Sequence, residues 1–274
     1  MCLVAFAIGA SKRWPLVIAA NRDEFLERPT LPLARWKTGA GQEIISGRDL
    51  RAGGTWMGIT PGGRIAFLTN VRQAQPEAAP RSRGELVTRW LEGSGDAVDF
   101  VAALEGQGAP FGGFNLVLGD MQRNAWTWVT NKHNRAQAAP VLHAQDLAPG
   151  LYGLSNAALD TPWPKTAELK RALATAMQTD DGPEELQKLL WTALGNRQRA
   201  LLAELPHTGV PPELEEALSS AFVEVPERAY GTRCSTVLLA TATAKAWNIE
   251  LEERSYGRDG PTPATHREQF SWSP

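Results

Sequence analysis

The chain opens with MCLVAFAI (residues 1–8), a cysteine leading into an apolar run, and LVIAAN (residues 16–21) follows after a Lys12-Arg13 turn. Short apolar runs around a polar turn are typical of two buried antiparallel strands. Cysteine is small enough for Met1 to be removed, so the mature chain is expected to begin with Cys2. Its thiol would be a nucleophile and its α-amine, with a pKa near ~7.7–8.0, a base. The alternative is a chance dipeptide before a buried strand.

The composition limits the classes of protein to consider. With 274 residues, 43% of them hydrophobic, the chain is predicted to form a single domain over residues 1–274, with an irregular tail at 254–274. Its net charge of −2 and scattered basic residues argue against a nucleic-acid partner. Two cysteines and four dispersed histidines predict no protein-held metal. The apolar run is too short for stable membrane insertion, so we expect a cytoplasmic protein.

Beyond its first two strands the chain shows strand patterns, then helical patterns, then strands again. Hairpins are predicted at residues 55–69, 113–130 (turning at Gly119-Asp120) and 235–251. Helices are predicted at residues 82–91 and 97–104 and, in two segments, at 164–203. Antiparallel hairpins with helices grouped between them indicate an α+β layered fold rather than a doubly wound sheet.

Four polar residues, Asn21-Arg22-Asp23-Glu24, stand where the second strand is expected to end. If the first two strands are hairpin partners, the end of the second lies beside the start of the first. Asp23 would then fall close to Cys2 and accept a hydrogen bond from its α-amine. A carboxylate in that place would orient the base, as the third member of a catalytic triad does. A solvated turn is the alternative interpretation.

This polar run is also the signature for which the NRDE family is named. The chain resembles that family, also called the transport and Golgi organisation protein two family, in several motifs that share one order. They are Met1-Cys2, Asn21 to Phe25, Arg28-Pro29, Ser46 to Asp49, Gly53 to Gly58, Asn70 to Arg72, Phe114 to Leu116, Gly153 to Asn156 and Thr232 to Thr236. The resemblance covers the chain from residue 1 to about 252.

The NRDE family is similar in turn to the N-terminal-nucleophile hydrolases, particularly choloylglycine hydrolases and penicillin acyltransferases. That similarity implies a four-layer αββα sandwich and a catalytic cysteine freed by N-terminal processing, which Cys2 matches. Asp23 matches the aspartate that supports the cysteine's amine, and Arg233 matches the arginine that lines the cysteine. Asn70 and Asn156 match two donors to the oxyanion of the reaction, each worth typically ~10²–10³ in rate.

Two departures from the hydrolase pattern bear on the ligand. Ala20 stands where these hydrolases carry an arginine, and no proline follows Asn156. The residues that we predict to contact a ligand are Asn21, Arg22, Arg48, Thr55 and Trp56. Arg48 lies in a loop that could bind an anion, with a solvated turn as an equal alternative, while Thr55 and Trp56 are expected at the rim of a pocket. Arg233 could also bind an anionic group of the substrate.

Two classes of function follow from these patterns. The first is a cysteine amidohydrolase or acyltransferase that acts on an amide or a thioester and requires no cofactor. The second is a binding protein on the same fold, because relatives of the family are associated with haem mobilisation and with acyl-CoA or lipid homeostasis. Haem would then be a reversible ligand, since the chain has no Cys-x-x-Cys-His attachment motif. The expected partner is a small amide, thioester or haem.

Overall fold

The computed structural model describes residues 3–74, 79–107, 110–132, 142–179, 182–257 and 263–273, so the predictions for Met1 and Cys2 lie outside the described residues. The strands are β1 Leu3–Ile8, β2 Leu16–Phe25, β3 Thr30–Lys37, β4 Glu43–Asp49, β5 Met57–Ile59, β6 Arg64–Asn70, β7 Phe114–Asp120, β8 Ala125–Thr130, β9 His143–Asp146, β10 Gly150–Leu154, β11 Glu224–Val225, β12 Tyr230–Ala242, β13 Trp247–Ser255 and β14 Ala264–Trp272. The α-helices are α1 Gly84–Glu92, α2 Ala97–Glu105, α3 Pro164–Met177, α4 Pro183–Leu194 and α5 Pro212–Ala217. The predicted α+β class is confirmed.

The chain divides into two compact units, each with its own sheet. Unit 1 comprises the residues up to 28 together with 149–155 and 159–273, and unit 2 comprises residues 29–148 and 156–158. Each unit packs helices on a face of its own sheet. Among the described residues, no helix combines the length and the apolar character that a membrane span requires.

The sheet of unit 1 has the order β10-β1-β2-β12-β13-β14, with β11 paired to β12. The predicted hairpin of β1 and β2 is confirmed, with Leu3 opposite Asn21 and Ile8 opposite Leu16. Alternate residues of these strands face the helices α3 and α4, because successive side chains of a strand point to opposite faces. The strand side chains in this core are Leu3, Ala5, Ala7, Val17, Ala19, Val237 and Leu239.

The sheet of unit 2 runs in the order β3-β4-β5-β6-β7-β8-β9. Helix α1 buries Leu86, Val87, Trp90 and Leu91 against it, a spacing that places four side chains on one helical face. The predicted hairpins of β5 with β6 and of β7 with β8 are both confirmed. The turn expected at Gly119-Asp120 is wrong in position, because β7 continues through Asp120.

Two predictions about the second half of the chain are corrected by the structure. The tail at 254–274 was expected to be irregular, but β14 pairs with β13 from Ala264 opposite Ser255 to Trp272 opposite Trp247. The second helix of the segment 164–203 ends at Leu194, and the residues that follow it are not α-helical. Gly195 follows Leu194 directly, and glycine is a common residue at the end of a helix.

Candidate active site

The polar run that gives the family signature is part of a strand. β2 extends to Phe25, and its last residues pair with the start of β12. Asn21, Arg22 and Asp23 have exposed fractions of 0%, 4% and 4%. The interpretation of this run as a solvated turn is therefore wrong, since the partner strand β12 covers residues that would otherwise contact water.

Asp23 is held by a short chain of hydrogen bonds that runs through Thr232 of β12. The hydroxyl of Thr232 donates to Asp23 Oδ1 at 2.7 Å, and the backbone N–H of Val223 donates to the same hydroxyl at 2.9 Å. The Thr232 hydroxyl accepts the N–H of Val223 through its oxygen, so its single proton is directed at Asp23. A buried carboxylate fixed in this way presents its charge in one direction.

Arg233 occupies a β-bulge opposite the signature residues. Thr232 pairs with Asp23 and Cys234 pairs with Arg22, so Arg233 is the extra residue of β12 at this point. Its Nη1 donates to the carbonyl oxygens of Phe25, Leu26 and Arg28, at 3.1, 2.6 and 3.1 Å. These bonds tie the guanidinium to the turn that follows β2. Burial, and then the nearby Arg22 guanidinium, lower the pKa of Arg233.

Asn21 forms a bridge inside unit 1. Its Nδ2 donates to the carbonyl oxygens of Leu194 at 2.9 Å and Ala221 at 2.8 Å, and its Oδ1 accepts from the Ser235 hydroxyl at 2.6 Å. Leu194 is the last residue of α4, and its carbonyl has no partner within the helix. Both amide protons are therefore used inside the protein, which gives Asn21 a structural task and leaves no donor for a ligand.

The other signature charges also contact groups of the protein. Glu24 lies between two guanidinium groups, 3.7 Å from Arg22 Nη2 and 3.6 Å from Arg28 Nε. Cys234 is buried opposite Arg22, and burial followed by the charge of Glu253 raises the pKa of its thiol well above the ordinary value. A thiol that resists ionisation is a weak nucleophile, so Cys234 has the character of a structural cysteine.

The two predicted oxyanion donors meet in unit 2. Asn156 Nδ2 donates to the backbone oxygen of Asn70 at 2.9 Å. Arg72 fixes the orientation of this amide, because its Nη2 lies 3.5 Å from Asn156 Oδ1 and its backbone N–H donates to the Asn156 carbonyl at 2.8 Å. Within the described part of the chain, the Asn70 side chain makes no hydrogen bond, and it is half-buried.

The remaining predicted ligand contacts also belong to unit 2. Thr55 is 1% exposed and its hydroxyl donates to the Met57 carbonyl at 3.0 Å, while Trp56 is 7% exposed. The Trp56 ring lies against Gly47, where a Cβ would come within 2.4 Å of it, so only glycine fits there. The Arg48 guanidinium stacks on the ring of Trp36, 4.7 Å from the centroid. Thr55, Trp56 and Arg48 therefore all make contacts inside unit 2.

The predicted site residues are divided between the two units. Asn21, Arg22, Asp23 and Arg233 belong to unit 1, whereas Asn70, Asn156, Arg48, Thr55 and Trp56 belong to unit 2. Sequence reasoning did not assign tasks to Thr232, Arg72 and Asn115, although each lies within a quoted family motif. Their tasks depend on hydrogen bonds across strands, for which a single sequence carries no signal. In the described ranges, no three His, Cys, Asp or Glu side chains are grouped as metal ligands.

The comparisons with known proteins identify the family. The family model described as Transport and Golgi organisation 2 matches residues 1–256. The "Transport and Golgi organization 2 homolog" of Mus musculus is 33% identical over 269 residues, which cover 93% of each chain. The chain therefore belongs to the Transport and Golgi organisation 2 family.

Two solved structures, both of hydrolytic enzymes by their descriptions, share the fold. An N-acylethanolamine-hydrolyzing acid amidase ortholog from Caenorhabditis elegans is 12% identical with a TM-score of 0.52, covering 87% of this chain and 92% of its own. A mutant conjugated bile acid hydrolase from Clostridium perfringens is 8% identical with the same TM-score of 0.52, covering 100% of this chain and 97% of its own. At these identities the likeness establishes the fold alone.

Proposed function

We propose that this member of the Transport and Golgi organisation 2 family is a cysteine N-terminal-nucleophile amidohydrolase or acyltransferase. Cys2, exposed by removal of Met1, is the nucleophile, and the substrate is an amide or a thioester. The observation that carries the proposal is the buried carboxylate of Asp23, which the Thr232 hydroxyl holds at 2.7 Å. The pairing of Leu3, the residue after Cys2, with Asn21 supports an approach of the nucleophile to this end of β2.

The proposed reaction needs only groups of this chain and a second substrate. The α-amine of Cys2 takes the thiol proton, and the sulfur attacks the acyl carbon to give a tetrahedral oxyanion. The amine or thiol leaving group departs with the proton, which leaves a thioester on Cys2. Water then releases the acid in a hydrolase, or an acceptor amine or thiol takes the acyl group in a transferase. Asp23 acts by orienting the α-amine and stabilising its protonated form.

The side-chain amides of Asn70 and Asn156 are the proposed donors to the oxyanion. The two residues lie together, because Asn156 Nδ2 donates to the Asn70 backbone carbonyl at 2.9 Å. The Arg72 contact with Asn156 Oδ1 supports this assignment, since it turns the nitrogen of the amide away from the guanidinium. Arg233 has a supporting task in the proposal, because its Nη1 is already occupied by three carbonyls of the turn.

Intact-mass spectrometry tests the proposal directly. The native protein is measured before and after an iodoacetamide pulse, and again after treatment with an acyl-thioester probe. We expect loss of Met1 and rapid alkylation and acylation of Cys2, with Cys234 unlabelled. Asp23→Asn should slow acylation by ~10²–10⁴-fold, because the base loses its orienting charge. Asp120→Asn is the matched control, since Asp120 is also 4% exposed but lies at the end of β7.

A retained Met1, or a Cys2 no more reactive than Cys234, would overturn the proposed mechanism. An acylation rate that is equally low in both aspartate variants would show that Asp23 acts through stability only. If Cys2 is inert, reversible ligand carriage is the alternative function to test next. Titration of the native protein with haem and with an acyl-CoA would then distinguish the two ligands that the family resemblance suggests.

A further inference from the structure

A buried polar cluster in unit 2 holds the loop that contains Asn156. Its centre is Asn115 of β7, which has no exposed surface. Asn115 Nδ2 donates to the Thr69 hydroxyl oxygen at 3.2 Å and to the carbonyl oxygen of Ala157 at 2.8 Å. Its Oδ1 accepts from Trp128 Nε1 at 3.3 Å. Every polar group of the side chain therefore has a partner, which is the usual state of a buried amide.

The Trp128 contact determines which way the Asn115 amide points. An indole nitrogen can only donate, so the atom that faces it must be the amide oxygen. The nitrogen of Asn115 is thereby directed at the carbonyl of Ala157. Flipping the amide would set an N–H against the indole N–H and an oxygen against the carbonyl oxygen, both of which are repulsive. The orientation is determined by the partners and not by packing alone.

The Ala157 carbonyl is one of three points at which the loop is held. The neighbouring Asn156 carbonyl accepts from the Arg72 N–H at 2.8 Å, and the Asn156 amide donates to the Asn70 carbonyl at 2.9 Å. The carbonyl groups of two successive residues are thus fixed, one by Arg72, which lies two residues after β6, and the other by Asn115 of β7. Since these peptide groups set the backbone at Asn156, they also set the direction of its side-chain amide.

We propose that Asn115 is a positioning residue for acyl transfer, which aims the Asn156 amide at the developing oxyanion. This inference rests on the proposed function, because it assigns a partner to one of the oxyanion donors named there. Asn115 does not touch the substrate and acts only through the Ala157 carbonyl. A displacement of about 1 Å in a catalytic group can cost ~10²-fold in rate, so a loosened loop should have a measurable effect.

The test compares two reactions of Cys2 in the variant Asn115→Ser. Acylation by an acyl-thioester probe passes through an oxyanion, whereas alkylation by iodoacetamide is a displacement at saturated carbon and forms none. We expect acylation to slow by ~10–10²-fold while alkylation stays within about twofold of the wild type. A role confined to stability would change neither rate in the folded protein, or both rates together.

The matched control is Asn131→Ser. Asn131 is also buried in unit 2, and its amide bonds the Phe114 N–H and the carbonyls of Phe111 and Gly112 without reaching the loop. It should lose stability without a selective loss of acylation. If Asn115→Ser does not fold, Trp128→Phe replaces it, because it removes the indole N–H that orients the amide while it keeps an aromatic ring at this position. Equal acylation rates in the wild type and the Asn115 or Trp128 variant would overturn the inference.

Hydrogen exchange separates failure of the inference from failure of the proposed function. If the wild type is not acylated at all, the proposed function fails, but the positioning of the loop can still be measured. Backbone amides of residues 153–160 should then exchange faster in Asn115→Ser than in Asn131→Ser. Equal exchange in the two variants would overturn the positioning task, whether or not the protein is an enzyme.

Discussion

Asn21 and Asn115 are wholly buried, and each uses its amide to join parts of the chain that are distant in sequence. Asn21 joins a strand to carbonyls that lie 173 and 200 residues away. A buried amide stabilises a fold only if its partners are present, because an unsatisfied buried group costs about 1–3 kcal/mol. Asn21 is therefore a structural bridge, and its predicted contact with a ligand stays a prediction.

Asn21→Ala should lower the free energy of unfolding by about 2–4 kcal/mol. The change leaves the carbonyls of Leu194 and Ala221 and the Ser235 hydroxyl without their present partner. Urea unfolding monitored by tryptophan fluorescence measures the loss. Asn248→Ala is the control, because Asn248 is exposed and should change stability by less than about 0.5 kcal/mol. Equal midpoints for the two variants would contradict the bridging task.

Single residues show where sequence reasoning succeeds and where it stops. Asp23 could be selected from the sequence because a carboxylate two residues after an apolar strand stands out, and the strand pairing is local. Thr232 could not, since the hydroxyl that holds Asp23 lies 209 residues further along the chain. The role of Cys2 stays a prediction, as do those of Asp23, Asn70, Asn156 and Arg233.

The strands that could be predicted from the sequence all pair with a neighbouring strand of the chain. The hairpins of β1 with β2, β5 with β6, and β7 with β8 pair neighbours in the sequence, and their turn signals mark them. β14 was not predicted because it is an edge strand that pairs only with β13, and most of its residues are polar. Such a segment lacks the apolar run by which the buried strands were predicted. In the structure, exposed and half-buried residues alternate along most of β14. This difference in burial is too small to predict a strand from the sequence unless the pairing with β13 is already known.

The edge strand β14 is expected to be held to β13 through its C-terminal tryptophan. Trp272 is 4% exposed and its ring lies 5.0 Å from that of Trp247. Trp272→Ala should therefore cost about 3–5 kcal/mol, as other buried aromatic truncations do, and should speed amide exchange in β13. The exposed neighbour Ser271 provides the control Ser271→Ala. Unchanged exchange in β13 in the Trp272 variant would show that backbone pairing alone holds the strand.

The molecule as a whole keeps a fold that its relatives share at very low identity. The two hydrolase structures match at 12% and 8% identity, while the family model matches residues 1–256. Fold class and family were therefore within reach of the sequence, through several motifs in one order. Chemistry was not, because a fold supports many reactions and the site decides between them. That decision depends on the reactivity of the chain's two cysteines.

The Cys2→Ala variant leaves Cys234 as the sole thiol, and its ionisation should report the stability of the whole molecule. Burial raises the pKa of Cys234 in the folded state above the value of about 8.5 that an unfolded thiol has. The folded protein thus holds the thiol proton more tightly, so the stabilising contribution is complete below about pH 8.5 and is lost as the pH rises through the folded pKa. Between these limits, the free energy of unfolding should fall by up to ~1.4 kcal/mol per pH unit relative to Cys2→Ala/Cys234→Ala.

Iodoacetamide labelling of the same variant is the second measurement. Because Cys234 is buried and protonated, it should be labelled only when the molecule opens, so labelling should follow the urea unfolding curve. Parallel stability curves for the two variants between pH 8 and 10, or native labelling within about tenfold of the unfolded rate, would contradict the burial of this thiol. A Cys234 that is reactive in the folded protein would also remove the contrast on which the assignment of Cys2 as the nucleophile depends.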